Sequence, residues 1–314
     1  MISVLQPGLL TTVQDQGRPG HRAFGMPVAG AADRWSLAVA NLLAGNPPGA
    51  AALELTLLGG TFRFALGGYA ALAGADMQAT LDGAPLAPWS AFPVAAGAVL
   101  ALGAARAGVR AYLAVRGGVD VPPVLGSRST YTRARVGGLS GRALAKGDLV
   151  PVGGGDGPEP GPRRLPADLT PSHGGAVVLR AIPGPQEDRF HPHGLATLFS
   201  HPYRVTPQND RMGFRLEGPP VRLLGAADIV TDALLPGAVQ VPGNGQPIVM
   251  MVDCQTTGGY AKIATVIGPD LASLAQARSG EAVRFARCTQ EEAVEALRAE
   301  QRSLEAVEEQ LRAR

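Results

Sequence analysis

The stretch that decides the fold is Pro236–Gly259, PGAVQVPGNGQPIVMMVDCQTTGG, which repeats the outline of Ala96–Gly118, AGAVLALGAARAGVRAYLAVRGG. Each segment runs through Gly-Ala-Val, a polar turn and a long apolar strand, and each leaves through Gly-Gly. A turn followed by a strand, Lys146–Val152 in one half and Ser279–Ala286 in the other, extends the likeness and could close each half. A repeat of this size indicates a duplicated barrel and not a short solenoid unit. A chance likeness between two Gly-turn-strand units is the alternative.

Short apolar runs separated by Gly, Asp and Pro turns fill the rest of the first half. They predict strands at Ala52–Leu57, Thr61–Ala65, Ala70–Ala73, Ala79–Leu81, Val99–Leu102 and Val109–Val115. Many short strands at this spacing favour a barrel or sandwich over a parallel sheet wrapped in helices. A helix is predicted at Trp35–Leu43, with Asp33 as its N-cap and Gly45 at its end. The predicted fold class is therefore mainly β, with two barrel halves and a C-terminal helix.

The composition of the chain predicts its domain boundaries. Residues 156–175, DGPEPGPRRLPADLTPSHGG, are rich in glycine, proline and charge, and little of this segment is expected to be buried. We therefore predict a linker at 156–175 between a first barrel half, 1–155, and a second, 176–287. Residues 288–314 complete the chain as a charged amphipathic helix.

The predicted C-terminal helix begins with a capping box formed by Thr289 and Glu292. Leu297, Leu304 and Leu311 recur every seven residues and give it a narrow apolar stripe. A stripe of this width predicts a helix that lies on the protein surface or against a partner chain.

Length, charge and cysteine content limit the function classes. The 314-residue chain is 46% hydrophobic, which is sufficient for a substantial core, and its net charge is +2 with no block of Lys or Arg. We therefore expect no nucleic-acid partner. The N-terminus does not have the form of a secretory signal, and no apolar run reaches the roughly 20 residues of a membrane helix. Cys254 and Cys288 lie far apart, so we expect a soluble, cytoplasmic protein with free thiols and no membrane contact.

Several familiar catalytic motifs are missing from the sequence. It contains no G-x-x-x-x-G-K-[ST] loop, no H-E-x-x-H and no G-x-S-x-G elbow. His191 and His193 could share a metal if they lay on a strand, but no carboxylate pair accompanies them. A solvated loop is the favoured interpretation, and no metal site is predicted.

Polar residues that follow the apolar run Ile248–Val252 form the candidate site. A buried strand that meets a glycine loop holds its polar groups stiffly, and paired glycines permit positive φ or the close approach of a ligand. The alternative is a strand, a hydroxyl-rich turn and a second strand with no ligand. The candidates in this and the other glycine-rich turns are Gln240, Asp253, Gln255, Thr256, Gly258, Gly259, Tyr260 and Lys262, with Arg211 upstream and Asp15 and Arg18 in the first half. Arginine and lysine suit a carboxylate or phosphate, although each residue by itself also suits a structural turn.

Sequence blocks up to about Phe285 resemble a known family when they are taken together and in order. They include TVQDQGRPGHRAFGMPVAGAADRWS, GADMQATLDG, NDRMGFRLEG, GAVQVPGNGQPI and DCQTTGGYAKIATVI. These blocks are similar to those of the biotin-dependent carboxyltransferase subdomain A/B family, also called the allophanate hydrolase subunit 2 family. Its free-standing bacterial members include the C subunit of 5-oxoprolinase. The resemblance implies two cyclophilin-like β-barrel halves, in agreement with the duplication.

The resemblance also implies a function. It implies an ATP-dependent 5-oxoprolinase, which opens 5-oxo-L-proline to L-glutamate with ATP, and Mg as a possible companion ion. The implied partners are the B subunit of 5-oxoprolinase, which is allophanate hydrolase subunit 1-like, and the lactam-utilisation A subunit. Fused relatives form the carboxyltransferase part of urea carboxylase, where biotin carries the carboxyl group; this chain shows no biotin-carboxylase-like region, which favours the 5-oxoprolinase. A non-catalytic module that antagonises a kinase inhibitor is the third interpretation.

Coupling lactam opening to ATP hydrolysis requires cations for phosphate charge and donors for the amide oxygen. The residues predicted to be catalytic are Asp253, Lys262, Arg211 and Gln240. Those predicted to bind substrate are Gln255, Thr256, Gly258, Gly259, Tyr260, Asp15 and Arg18. In these roles Lys262, Arg211 and Arg18 bind phosphate charge. Thr256 and the amides near Gly258 bind the oxyanion, Asp253 accepts the substrate N–H, and Gln240 or Gln255 orients the amide.

Overall fold

The structure is a computed structural model that describes residues 1–155 and 159–312. It divides into two compact units, and each unit combines segments that are distant in sequence. The first unit comprises Met1–Arg18, Ala29–His173 and Arg302–Arg314, and the second comprises Pro19–Val28 and Gly174–Gln301. The predicted fold class, mainly β with two barrel halves and a C-terminal helix, is confirmed.

The first unit is built from short strands joined by tight turns. Its strands are β1 (Ile2–Gln6), β2 (Leu10–Gln14), β3 (Ala52–Thr56), β4 (Thr61–Phe64), β5 (Gly68–Asp76), β6 (Thr80–Leu81), β7 (Ala84–Pro85), β8 (Ser90–Val94), β9 (Val99–Ala101), β10 (Ala107–Val115), β11 (Leu149–Val150) and β12 (Arg163–Arg164). One sheet has the order β11-β1-β4-β9-β6-β7 and the other β12-β8-β5-β10-β3-β2. Phe62 and Leu100 from one sheet and Leu53 and Leu113 from the other share one buried cluster. The two sheets therefore pack face to face around one core.

Helix α1, Arg34–Ala44, covers the second of these sheets. It begins at Asp33, whose carboxylate accepts a hydrogen bond from the Ser36 amide at 2.9 Å, and it ends at Gly45 with a φ of 75°. Its buried side chains contact small residues of the sheet, among them Ala71 and Ala114. The predicted helix and both of its predicted caps are confirmed.

The second unit contains a closed barrel. Its strands are β13 (Val177–Pro183), β14 (Tyr203–Asn209), β15 (Gly213–Glu217), β16 (Asp228–Ala233), β17 (Ala238–Gln240), β18 (Ile248–Met250), β19 (Thr257–Tyr260), β20 (Lys262–Val266) and β21 (Ala282–Arg287), with helices α2 (Pro192–Ser200) and α3 (Asp270–Ala275). The barrel has the order β13-β20-β17-β18-β15-β14-β21, whereas β16 and β19 pair in a small separate sheet. The apolar run that was predicted to be a strand at Ile248–Val252 is thus a strand as far as Met250.

The repeat seen in the sequence agrees with the structure only in part. The predicted closing strands, β11 and β21, pair with the first strands of their units, β1 and β13. Within the longer repeat, β17 pairs with β18, whereas the corresponding β9 and β10 lie in different sheets. The likeness between these segments therefore does not extend to strand pairing.

The predicted linker requires a correction. Residues 156–158 lie outside the described part of the chain. Beyond them, however, Arg163–Arg164 pairs with β8, and Leu165 is 2% exposed and donates its amide hydrogen bond to the Trp89 carbonyl. The chain as far as His173 therefore belongs to the first unit, because a few apolar residues anchor an otherwise polar, proline-rich segment.

The C-terminal helix α4, Gln290–Arg312, has the predicted capping box. The Glu292 carboxylate accepts from the Thr289 amide at 2.8 Å, and the Thr289 hydroxyl accepts from the Glu292 amide at 3.2 Å. The helix lies on the protein surface as predicted, and in its last turns only the apolar side is covered: Val307 and Leu311 pack into the first unit, whereas Glu309 and Gln310 are exposed. Residues 313 and 314 of the predicted helix lie outside the described range. None of the helices within 1–155 and 159–312 is long and apolar enough to cross a membrane.

Candidate functional site

Lys262 and Gln240 are brought together by strand pairing in the second unit. Lys262 begins β20, Gln240 ends β17, and the two residues are register partners. Directly opposite residues of an antiparallel pair place their side chains on the same face. Lys262 is only 4% exposed and Gln240 only 3%, so the barrel shields the Lys262 ammonium and the Gln240 amide from most of the solvent. The predicted catalytic residues Lys262 and Gln240 are therefore neighbours.

Asp232 and Gln186 complete a hydrogen-bonded group around Lys262. The Lys262 Nζ donates to Asp232 Oδ2 at 2.5 Å and to the Ala233 carbonyl at 2.7 Å. Gln186 Nε2 also donates to Asp232 Oδ2, at 3.1 Å, while Gln186 Oε1 accepts from the Lys262 amide at 3.1 Å. We call Lys262, Gln240, Gln186 and Asp232 the lysine cluster.

The electrostatics of the lysine cluster keep its acid ionised. The hydrogen bond from Lys262 is the main reason that the pKa of Asp232 lies below its ordinary value, and the Ala233 amide lowers it further. The lysine cluster thus presents a buried ammonium that holds an ionised carboxylate. Asp232 was not predicted from the sequence, because an acidic residue in an exposed strand has no pattern that marks it as a partner of a distant lysine.

The paired glycines act differently from the prediction. Thr257–Tyr260 is the strand β19, not a loop, and neither Gly258 nor Gly259 has a positive φ. The group that approaches Gly258 closely is the Gln240 side chain and not a ligand, because a Cβ added at Gly258 would lie 2.6 Å from Gln240 Nε2. Gly258 is also the register partner of Asp232, and Gln240 Nε2 donates to the Tyr260 carbonyl at 3.4 Å. Gly258 and Tyr260 therefore adjoin the lysine cluster.

Arg211 and Asp253 form a bidentate ion pair with each other. The Arg211 Nε donates to Asp253 Oδ2 at 2.8 Å and Nη2 donates to Oδ1 at 3.0 Å, with exposures of 8% and 5%. The Asp253 amide also donates to the Arg211 carbonyl at 2.9 Å. Two parallel hydrogen bonds of this kind fix geometry strongly. The pair therefore ties the turn that follows β18 to the turn that precedes β15, and a catalytic role for either residue remains a prediction.

Arg22 anchors the segment that contains Gln255 and Thr256. Its Nη2 donates to the carbonyls of Leu234 and Gln255, and it lies 3.9 Å from Cys254 Sγ. The Thr256 carbonyl accepts from the Leu234 amide at 2.9 Å. Burial raises the pKa of the Cys254 thiol to about 11, and Arg22 partly opposes this shift. Main-chain groups of the predicted Gln255 and Thr256 thus already have partners within the protein. Arg22 was missed because it lies in a short 3₁₀ helix, Arg22–Phe24, far from both residues in the sequence.

Asp15 and Arg18 lie in the first unit and support a loop there. Arg18 is 1% exposed and donates to the carbonyls of Ser129 and Val124, at 2.5 and 3.3 Å. The Asp15 carboxylate accepts hydrogen bonds from the Gly17 amide, the Ser127 hydroxyl, the Arg128 amide and the Ser129 hydroxyl. These contacts hold the loop of residues 124–130 against the end of β2, so the oxygens of Asp15 already have donors from the protein.

His191 and His193 lie at the start of helix α2. The His191 Nδ1 accepts from the His193 amide at 3.1 Å, and the two rings stack with centroids 5.2 Å apart. Within the described ranges, no group of three or more His, Cys, Asp or Glu residues is placed to hold a metal ion.

The sequence of this chain matches a known protein family. The profile of the carboxyltransferase domain, subdomain A and B, matches residues 24–287, which include most of both units and the whole lysine cluster. The chain belongs to this family. Its sequence is 41% identical over 312 residues to the C subunit of 5-oxoprolinase from Escherichia coli (strain K12), with 97% of each chain covered.

Larger members of the family contain a region similar to this chain. Urea amidolyase of Lachancea kluyveri is 32% identical over 306 residues, which are 90% of this chain and 16% of that protein. The crystal structure of the Kluyveromyces lactis urea carboxylase superposes with a TM-score of 0.92 at 29% identity, over 98% of this chain and 29% of that one. The fold described here is therefore that of the family.

Proposed function

We propose that this chain is the C subunit of an ATP-dependent 5-oxoprolinase that converts 5-oxo-L-proline to L-glutamate. The observation that carries the proposal is the 41% identity to the Escherichia coli protein over 97% of both chains. The urea amidolyase of Lachancea kluyveri, in contrast, is matched over only 16% of its length. The Escherichia coli protein is the better guide to function, because its identity is higher and the match covers nearly all of it.

A complex is part of this proposal, because the name of the Escherichia coli relative implies that other subunits exist. We propose two partners, the allophanate hydrolase subunit 1-like B subunit of 5-oxoprolinase and the lactam-utilisation A subunit. The second candidate function, carboxyl transfer in a biotin-dependent urea or amide carboxylase, is supported by the TM-score of 0.92 with the Kluyveromyces lactis urea carboxylase.

Within the chain, we propose the lysine cluster as the reactive site. Lys262 and Gln240 supply a cation and an amide on one face of the barrel, and Gly258 lets the Gln240 side chain pack against β19. An ammonium of low exposure stabilises developing negative charge more strongly than one in water. Gln240 can orient an amide through its own amide group. Arg211 and Asp253 then serve mainly to position the neighbouring turn.

The lysine cluster fits the phosphate groups of ATP in one respect. Lys262 Nζ already holds a carboxylate oxygen at 2.5 Å, so a phosphate oxygen suits the same donor. When bound, ATP supplies the phosphoryl group that makes the amide of a lactam reactive. Lys262 and Gln186 would hold negative oxygens, and Gln240 would orient the substrate amide.

Reconstitution tests the proposed function. The chain is co-expressed with homologues of the two proposed partners from its own source, and 5-oxoproline-dependent ATP hydrolysis is measured. We expect Lys262→Met to lower turnover about a hundredfold or more, the scale of a positioned catalytic group. Lys146→Met is the matched control, because Lys146 is exposed in the first unit.

The complex itself is the second measurement. We expect one co-eluting assembly in size-exclusion chromatography for the wild type and for both variants. Independent elution of the proteins would count against the proposal, as would normal turnover of Lys262→Met in an intact complex. Carboxylation of urea by an assembly that contains a biotin carboxylase, without hydrolysis of 5-oxoproline, would favour the second candidate.

A further inference from the structure

We infer that the lysine cluster contains an anion-binding subsite that this chain's own Asp232 carboxylate occupies, and that a carboxylate or phosphoryl group of the ligand replaces it. The identity of the ligand rests on the proposed function. The subsite itself rests on contacts within the second unit. Its donors are Lys262 Nζ and Gln186 Nε2, which converge on Asp232 Oδ2.

The two partners of the ion pair differ sharply in exposure. The Lys262 side chain is 5% exposed, whereas that of Asp232 is 47% exposed. The ammonium belongs to the barrel wall, and the carboxylate reaches it from the solvent side. An anion from solution can therefore approach Lys262 along the path that Asp232 already uses.

The strand that carries Asp232 is suited to movement away from the barrel. Strand β16 pairs with β19 and has no other strand partner among the described residues. Its pairing has an irregularity between Asp228 and Asp232, and Val230 between them is 92% exposed. A two-stranded sheet with so little buried apolar surface opens at low free-energy cost. Asp232 can thus leave without breaking any strand pairing of the barrel, although Lys262 Nζ then also gives up its hydrogen bond to the Ala233 carbonyl.

The two side-chain donors for an anion, Lys262 and Gln186, stay in position when Asp232 leaves. Gln186 is held by the main-chain amide of Lys262 at 3.1 Å, and this contact does not involve β16. Lys262 begins β20, which pairs with both β13 and β17 in the barrel. Two side-chain donors that converge on one oxygen therefore form a preorganised site for a negative oxygen.

Charge balance explains why a ligand anion is the appropriate replacement. A buried ammonium that loses its counter-charge is strongly disfavoured. When a ligand carboxylate or phosphate replaces the carboxylate of Asp232, Lys262 keeps one negative partner throughout. A neutral ligand offers no such compensation, so the subsite selects anions.

A tethered carboxylate also lowers the apparent affinity for the ligand, because the subsite is available only when Asp232 is displaced. If Asp232 occupies the subsite nine-tenths of the time, its removal tightens ligand binding about tenfold. Asp232→Asn is the appropriate variant, since it removes the charge and retains the size of an exposed side chain.

The experiment titrates the full chain, without partner proteins, with 5-oxoproline and separately with inorganic phosphate. Binding is followed by the NMR signal of the Lys262 ammonium and by calorimetry. We expect Asp232→Asn to bind one or both anions about tenfold more tightly than wild type. Asp228→Asn, on the same strand, is expected to match wild type. Asp232→Asn combined with Lys262→Met is expected to lose the binding.

Comparison of the two titrations shows which group of the ligand the subsite binds. Tightening for 5-oxoproline assigns the subsite to a carboxylate, and tightening for phosphate assigns it to a phosphoryl group. The inference is overturned if Asp232→Asn binds neither anion more tightly than wild type, or if the double variant binds as well as Asp232→Asn. Because this assay involves no turnover and no partner, its failure is distinguishable from failure of the reconstituted 5-oxoprolinase.

Discussion

At the scale of single residues, Arg211 and Asp253 show how a charged pair in a glycine-rich turn can serve structure. Both side chains are nearly inaccessible, and two hydrogen bonds of 2.8 and 3.0 Å join them. Removing one member of such a pair leaves the other charge buried without its counter-ion, which is more costly than replacing both. A loss of activity on mutation would therefore arise from destabilisation as readily as from chemistry.

We predict that Asp253→Asn lowers the free energy of unfolding by about 3–5 kcal/mol. Replacing both residues, as Arg211→Met with Asp253→Leu, is expected to recover part of this loss, because no buried charge then remains. Urea denaturation of the isolated chain measures the difference. The exposed Asp228→Asn is the control and is expected to stay within about 0.5 kcal/mol of wild type. If Asp253→Asn is as stable as this control, the pair is not a structural anchor.

At the scale of elements, helix α4 has different environments at its two ends. Val307 and Leu311 lie in a buried cluster of the first unit, whereas Leu297 is 56% exposed. The Leu311 carbonyl also accepts a hydrogen bond from Arg163 Nη1 at 2.9 Å. The leucines of one heptad stripe are therefore not equivalent: Leu311 is buried in the first unit, whereas near the start of the helix Ala296, and not Leu297, packs against Ile267 and Cys288.

We predict that Leu311→Ala lowers the free energy of unfolding by about 2–5 kcal/mol, through lost apolar contact and the cavity that remains. Leu297→Ala, the same change in the same helix, is expected to cost less than about 0.5 kcal/mol. Thermal or urea unfolding of the two variants in parallel gives the comparison. Equal effects would show that the burial of Leu311 contributes little to stability.

At the scale of the whole molecule, each unit depends on a segment from elsewhere in the sequence. The second unit includes Pro19–Val28, in which Arg22 binds the carbonyls of Leu234 and Gln255. The first unit includes the end of α4. A division of the chain between residues 173 and 174 therefore removes buried or anchoring contacts from both units.

We predict that fragments 1–173 and 174–314, expressed separately, show no cooperative thermal unfolding by circular dichroism. Co-expression of the two fragments is expected to restore a folded complex. Fragment 1–173 supplied with a peptide of residues 290–312 is the matched control and is expected to gain stability through Val307 and Leu311. Two fragments that each unfold cooperatively alone would contradict the prediction.

Local patterns in the sequence determined the elements and the family. The Asp33 and Gly45 caps, the Thr289–Glu292 box and the short strands follow from side chains within a few residues of each other. The order of the sequence blocks identified the family that the profile over 24–287 confirms. Such features are predictable because capping and alternation depend on local backbone geometry and on one strand's own pattern.

Only the tertiary structure decided which polar residues meet. The sequence selected Lys262, Gln240, Arg211 and Asp253 as one catalytic set. The fold instead pairs Arg211 with Asp253 and brings Lys262 and Gln240 to Asp232 and Gln186. It also places Asp15 in a loop of the first unit, with hydrogen bonds to residues more than a hundred positions away. The physical reason is that a charge is balanced by whichever partner the tertiary fold places within hydrogen-bonding distance, and that partner can lie far away along the chain.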